Sequence, residues 1–254
     1  MMFVFLIFAT TLHAQSVVLT IVNNSSDHTI WPAIEGSPLS EPTLSDGGVV
    51  SGDPLPEGLA LLANSTVKVA LPQTNWSGRL WARQYCSADG TGCVLGDCGS
   101  RSCWGRSSTL TTLFELTVLS DKIYYDISLV DGYTCGITVK PDDDACEPIT
   151  CVAPPHLGME DHRNRTVCPQ SNLITDVQTG GAPIGCKSDC AVYETDEYCC
   201  RGEFDASRCR ASNPWFKKTC PTAYSFAYDD RDATFTCGLR NMTIYFDCGD
   251  SVPQ

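Results

Sequence analysis

Glu115 and Asp126 are acids whose spacing lets local geometry bring them together. In residues 113–118, Phe114, Leu116 and Val118 fall on one face of an extended strand, and Leu113, Glu115 and Thr117 on the other. In residues 123–130 the apolar face is Ile123, Tyr125, Ile127 and Leu129, so Asp126 points the opposite way. A turn centred on Ser120-Asp121 pairs Phe114 with Ile127, Leu116 with Tyr125 and Val118 with Ile123. A slip of one residue would mix the faces. The same register sets Glu115 directly across from Asp126, where opposed Cβ atoms sit about 4.5–5.5 Å apart.

Like charges in opposed positions are destabilising, so the pair calls for a cation or a shared proton. The run GRLWAR offers a cation: Leu80 and Ala82 face inward and leave Arg79, Trp81 and Arg83 on the other face. A neighbouring Arg lowers a carboxyl pKa, whereas burial or a like charge raises it. Pushing two values apart is how a carboxyl pair acquires one acid and one nucleophile or base. Carboxyls roughly 5–5.5 Å apart suit retaining glycoside hydrolysis, and roughly 6.5–9.5 Å inverting hydrolysis. Glu115 and Asp126 are therefore the candidate catalytic residues, one as acid and the other as nucleophile or base. Trp81 and Tyr133 have rings that stack on sugars, but packing is the commoner use of such residues.

The elements that must position these groups are mainly β. Residues 17–23, 66–71 and 78–83 are short β-branched or alternating runs bounded by Asn, Gly, Pro and Ser, as strands are. Residues 113–130 form the clearest hairpin, and 233–248 supply two more strands. Residues 151–220 are dense in cysteine with little apolar periodicity, and short helices fit near 190–200 and 215–218. The pattern predicts a β-sandwich core beside a loop-rich, disulfide-stapled lobe.

The whole chain has 254 residues, 16 of them Cys, with 30 acidic against 17 basic side chains and a net charge of −13. Such a balance argues against nucleic acid or an anionic membrane as partner, because both need a basic footprint. Cysteine at this density is paired in an oxidising compartment or engaged with metals in a reducing one. The run MMFVFLIFATTL, ending at His13-Ala14-Gln15, reads as a cleavable signal peptide over 1–14. No second long apolar segment follows, which predicts a secreted monomer without a membrane span. Asn23, Asn24, Asn64, Asn75, Asn164 and Asn241 begin N-x-S/T triplets, candidate glycosylation sites in the secretory route. Asn23 and Asn24 overlap and compete. Among His28, His156 and His162 no ligand spacing occurs, so the expectation is no metal. Nucleotide loops and a G-x-S-x-G elbow are missing as well, and no cofactor is expected.

The segments LTIVNNSSDHTIWPAI, GRLWARQYC, GDC, YYDISLVDGY, YETDEYCC, NPWFKKTCP and AYSFAYDD resemble the thaumatin-like protein family, in that family's order. The resemblance implies a mainly β fold over 15–254. It consists of a flattened β-sandwich (16–83, 106–152, 221–254), a small cysteine-rich finger (84–105) and a disulfide-rich, partly helical lobe (153–220). Antifungal members have an acidic cleft of one Arg, one Glu and three Asp. Matching motif by motif gives Arg79, Glu115, Asp126, Asp131 from LVDGY and Asp229 from AYSFAYDD as substrate-binding residues. Members bind fungal-wall β-1,3-glucan and some hydrolyse it, which implies a secreted defence protein. Other members inhibit digestive hydrolases, so a protein-binding scaffold acting through the cysteine-rich loops is the alternative.

Spacing alone does not choose among disulfide connectivities. The resemblance implies Cys86–Cys93, Cys98–Cys103, Cys146–Cys237, Cys151–Cys220, Cys168–Cys186, Cys190–Cys199 and Cys200–Cys209. Two departures stand out. The finger has Leu95 where the family has Thr, and Ser100 where it has a second Gly, so the finger is expected to be reshaped. Ser25 stands where the family has a Cys bonded near the C-terminus, while Cys135 is additional. One loss and one gain keep the count even, and unpaired secreted thiols are liabilities, so a Cys135–Cys248 bridge is predicted.

Overall fold

The computed structural model describes residues 17–36, 43–44, 55–71, 76–152, 167–177 and 180–249. The leader over 1–14, the triplets at Asn75 and Asn164, and His156 and His162 lie outside the described residues.

Strand alternation builds two sheets that share one core. A 6-stranded sheet runs β10 (Ile149–Cys151), β9 (Gly136–Pro141), β14 (Met242–Asp247), β1 (Val18–Asn23), β4 (Thr66–Ala70) and β3 (Thr43–Leu44). A 5-stranded sheet runs β13 (Phe235–Gly238), β7 (Lys122–Ser128), β6 (Leu113–Val118), β5 (Trp76–Arg83) and β2 (Trp31–Gly36). Leu19, Ile21, Val69, Val139, Ile244 and Phe246 of the first sheet join Trp76, Leu80, Phe114, Leu116, Ile123 and Tyr125 of the second in one buried cluster. Each such large side chain contributes about 1.5–3 kcal/mol when fully buried. This is the packing of a β-sandwich. A third, 3-stranded sheet orders β11 (Leu173–Thr175), β12 (Pro183–Lys187) and β8 (Gly132–Tyr133).

The central hairpin closes where alternation puts it. Leu119 N–H donates to the Lys122 carbonyl at the turn. Phe114 lies opposite Ile127, Leu116 opposite Tyr125 and Val118 opposite Ile123. Strand β2, which alternation alone did not reveal, pairs with β5 across a long intervening segment.

The region from 167 to 220 is held differently. Its helices α1 (Asp189–Tyr193), α2 (Asp196–Cys199) and α3 (Pro214–Thr219) are too short to persist alone. Helix α1 starts at Ser188, whose Oγ accepts from Ala191 N–H, and ends at Glu194 in the left-handed conformation. Asn213 caps α3, Pro214 opens it and its Trp215 and Phe216 are buried. Cys190–Cys199 ties the start of α1 to the end of α2, and Cys200–Cys209 ties the next residue onward.

Eight disulfides join the described cysteines. The Cys135–Cys248 pair, with Cα atoms 4.7 Å apart, has a simple origin in strand order. β14 lies between β9 and β1, and Gly136 is opposite Asp247, so Cys135 and Cys248 occupy the next cross-strand position. On the other side the parallel register of Asn23 with Phe246 carries Ser25 toward Cys248. Either neighbouring strand is thus positioned to hold this cysteine. Ser25, fully buried, instead donates through Oγ to Asn23 Oδ1 at 2.6 Å.

Residues 84–105 pack back onto the outer face of the 5-stranded sheet. Leu95 is buried with Ile174 and Ile184, an apolar contact that a threonine would make less well. Buried Arg83 donates Nη1 to the Gly90 and Ser100 carbonyls, both at 3.0 Å, and Nη2 to the Arg101 carbonyl at 3.1 Å. A buried guanidinium is tolerated when its donors are satisfied in this way.

Candidate functional site

One charged residue from each of four adjacent strands falls in a single cross-strand row. Glu35 of β2 is opposite Arg79 of β5, Arg79 is opposite Glu115 of β6, and Glu115 is opposite Asp126 of β7. All face away from the core. The next row along the strands carries hydroxyls: Ser77 opposite Thr117, Thr117 opposite Tyr124, and Tyr124 opposite Thr236. Ser77 and Thr117 hydrogen-bond to each other at 3.0 Å. Apart from Thr236, the two rows line an open cleft of about 400 Å³ with Gly36, Gly78 and Leu116. On the core side the Trp76 indole lies against both glycines, where an added Cβ would come within 2.6 Å of its ring at Gly36 and 2.5 Å at Gly78.

Arg79 does not serve the carboxyl pair directly. Its Nε donates to Glu35 Oε2 at 2.5 Å, and Nη2 donates to Ser107 Oγ at 3.4 Å. Among the described residues the carboxyls of Glu115, Asp126 and Asp131 have no hydrogen-bond or ion-pair partner. Asp126 Oδ1 is buried without one. The consequences for protonation follow from that isolation. Burial pushes Asp126 up to about 8, with the negative charges of Glu115 and Asp230 adding to it. Burial also raises Glu115; Arg79 offsets part of that, and Asp131 and Glu35 push it up further. Asp131 is raised by burial, with Arg79 pulling the other way. At neutral pH Asp126 keeps its proton and is a hydrogen-bond donor, whereas an ionised partner accepts. Such a pair can bind a hydroxyl group in either sense and has the acid–base split that glycoside chemistry uses.

The five sequence-matched residues divide between three places. Arg79, Glu115 and Asp126 line the cleft. Asp131, after β7, lines a second cavity of about 680 Å³ with Ser108, Lys187, Glu194 and Arg201, where α1 and α2 face the 108–110 segment. Its charge still acts on Glu115, and Arg79 acts on it. Asp229 is turned to its own loop: Oδ2 accepts from Ser225 N–H at 3.0 Å and Ser225 Oγ at 2.7 Å, and pairs with Lys217 at 3.0 Å. The neighbouring Asp230 is the acid whose charge reaches Asp126. Its Oδ1 accepts from the Tyr224 hydroxyl at 2.8 Å.

Residues that sequence reasoning missed are Glu35, Tyr124 and Asp230. Tyr124 was legible, since it lies two residues from Asp126 on the same strand face. Glu35 was not, because the β2–β5 register spans a long separation. Trp81 and Tyr133 both pack: Trp81 Nε1 donates to the Gly96 carbonyl at 2.8 Å, and Tyr133 meets Trp215 edge-on.

The candidate glycosylation sites also separate. Asn23 is a correction: its Nδ2, the atom that would carry a glycan, is buried and donates to the His28 and Leu61 carbonyls at 2.7 and 2.9 Å. Asn24 and Asn64 are exposed, and Asn241 is half-buried with Oδ1 accepting from Val18 N–H. Among the described residues no helix is long and apolar enough to cross a membrane. No cluster of His, Cys, Asp and Glu among them has metal-holding geometry.

Comparison with known proteins matches the thaumatin family over residues 24–248. The chain is 36% identical over 242 residues to pathogenesis-related thaumatin-like protein 3.5 of Cryptomeria japonica, covering 92% of this chain and 90% of that one. It is 34% identical to pathogenesis-related protein 5 of Arabidopsis thaliana, covering 95% of each. Thaumatin-like protein 1 of Pyrus pyrifolia is 35% identical over 88% of each chain. Similarity of this extent, on a sandwich stapled by disulfides in the same order of motifs, has one meaning: the chain belongs to the thaumatin family.

Proposed function

We propose that this chain is a secreted defence protein that binds β-1,3-glucan in the cleft on the 5-stranded sheet. The observation that carries the reading is the carboxyl pair Glu115 and Asp126, which has no hydrogen-bond or ion-pair partner among the described residues, with Asp126 Oδ1 buried, beside a row of hydroxyls. Half-buried acids are costly unless something completes their hydrogen bonds. A neutral polyol supplies both donors and acceptors, and an extended glycan lies naturally along an open groove. The names of the pathogenesis-related relatives support a defence role. The disulfide content suits an oxidising exterior.

Hydrolysis would assign Asp126 as the protonated acid and Glu115 as the ionised nucleophile or base. Equilibrium binding to insoluble β-1,3-glucan, paired with reducing-sugar release from a soluble one, separates binding from catalysis. Wild type should be retained, and Glu115→Gln should weaken retention about tenfold, the loss of one charge-assisted hydrogen bond. Release that disappears in Glu115→Gln assigns catalysis to the pair. Retention no better than on an unrelated polysaccharide would sink the reading.

A further inference from the structure

The row of charges contains an acid that the sequence motifs did not single out. Glu35 is on the outermost strand of the 5-stranded sheet, directly opposite Arg79, and takes its Nε at 2.5 Å. The side chains of Arg79 and Glu35 are only 27% and 24% exposed, so the pair is sheltered and less screened than a surface ion pair. On its other side Arg79 is just as directly opposite Glu115, yet it forms no ion pair there. One guanidinium thus stands between two carboxylates on neighbouring strands and is held by the outer one, with Ser107 taking Nη2.

We propose that Glu35 is a positioning residue: it holds the Arg79 guanidinium off Glu115 and so leaves the Glu115–Asp126 pair open to the hydroxyls of a neutral glycan. The inference rests on the glycan-binding reading for the ligand, but not for the geometry. Without Glu35, Arg79 would turn to the nearest uncompensated carboxyl. Glu115 is that group, because Arg79 already lies across from it. A bidentate Arg–carboxylate pair would then occupy the acceptor oxygens that a sugar hydroxyl needs. The charges that act on Glu115 are Arg79 from β5, Asp131 after β7 and Glu35 from β2; Asp126 of β7 faces it by register, and Tyr124 lies in the next row of β7. Those acting on Asp126 are Glu115 and Asp230, and Asp126 in turn raises Tyr224. Removing the Glu35 charge and freeing Arg79 push Glu115 the same way, toward easier ionisation, so the two effects reinforce each other.

The experiment is a crystal structure and a carboxyl carbon NMR titration of wild type, Glu35→Gln and the double variant Glu35→Gln/Arg79→Gln, with Glu115→Gln used to assign the resonance. In Glu35→Gln, Arg79 should move to within ion-pair distance of Glu115, and the Glu115 midpoint should fall. In the double variant the midpoint should return to or above that of wild type. Binding of a soluble β-1,3-glucan oligosaccharide should weaken about tenfold in the single variant, while the double variant is read by the recovery of its Glu115 midpoint. A residue that only held the strand edge together would give no such recovery. Glu35→Asp, which keeps the charge, should retain most of the wild-type titration. Arg79 remaining on Ser107 with an unchanged Glu115 midpoint would overturn the proposal. If wild type bound no glucan while the titrations behaved as described, the glycan reading would fall and the positioning role would stand.

Discussion

The 5-stranded sheet and the region 167–220 reach order by opposite means. The sheet places four charged side chains in one row because backbone pairing repeats a fixed register over a buried apolar face. The lobe has helices of 4, 5 and 6 residues, no buried residue in α1 or α2, and a bridge at nearly every turn. Burial gives the sheet a position tolerance fine enough to set a carboxyl pair. Covalent closure gives the lobe persistence without a core of its own. A site that depends on exact pairing is therefore carried on the sheet, whose strands line the cleft, while the lobe lines the second cavity.

The sharpest way to break the comparison is to damage each region by its own means. Phe114→Ala, which empties a core position opposite Ile127, should cost about 3–5 kcal/mol in denaturant unfolding of the whole protein. Cys190→Ser/Cys199→Ser should cost about 2–4 kcal/mol by the usual range for a disulfide, but the loss should be local. In hydrogen exchange, amides of α1 and α2 should lose protection while those of β6 and β7 keep theirs. Equal loss of protection in both regions would show that lobe and sheet unfold as one unit.

A second test uses protons. Asp126 is held at about 8 in the folded protein, well above the ordinary carboxyl range near 4, so the folded state binds this proton more tightly than the unfolded chain. The stability tied to the proton is fully present below about pH 4 and is lost as pH rises toward 8. Asp126→Asn has no proton to lose. Its melting temperature relative to wild type should therefore climb across that window, exceeding wild type by about 2–4 °C or more at pH 8. A constant difference from pH 4 to 8 would mean that Asp126 titrates in the folded protein as it does in the unfolded chain.

The smallest effect expected comes from exchanging bridge partners around Cys248. Because β14 has β9 on one side and parallel β1 on the other, Cys135→Ser combined with Ser25→Cys should form a 25–248 bridge. Stability should change by no more than about 1–2 kcal/mol, since one cross-strand staple replaces another while the buried Ser25–Asn23 hydrogen bond is given up. Peptide mapping under non-reducing conditions reads the outcome directly. Two free thiols in the variant would show that strand β1 diverges from Cys248 too early to bond.

The sequence by itself determined the hairpin, because Leu113–Val118 and Lys122–Ser128 are joined by a tight turn and each alternates cleanly. With one face apolar, a single register avoids burying Glu115 and Asp126. It also determined the even cysteine count from which Cys135–Cys248 was reasoned, and a short helix near 215–218. Only the tertiary structure decided that Arg79 answers to Glu35 rather than to Glu115, that Asp229 is tied to Lys217 while Asp230 reaches Asp126, and that Asn23 is buried where Asn24 is exposed. The physical reason is range. Alternation and turn chemistry act over a few residues, whereas the β2–β5 pairing, the choice between adjacent aspartates and the burial of one of two adjacent asparagines depend on which distant strands and loops close over them. Protonation belongs to the same class, since the proton on Asp126 is held by desolvation and neighbouring charge that exist only after the sheet has formed.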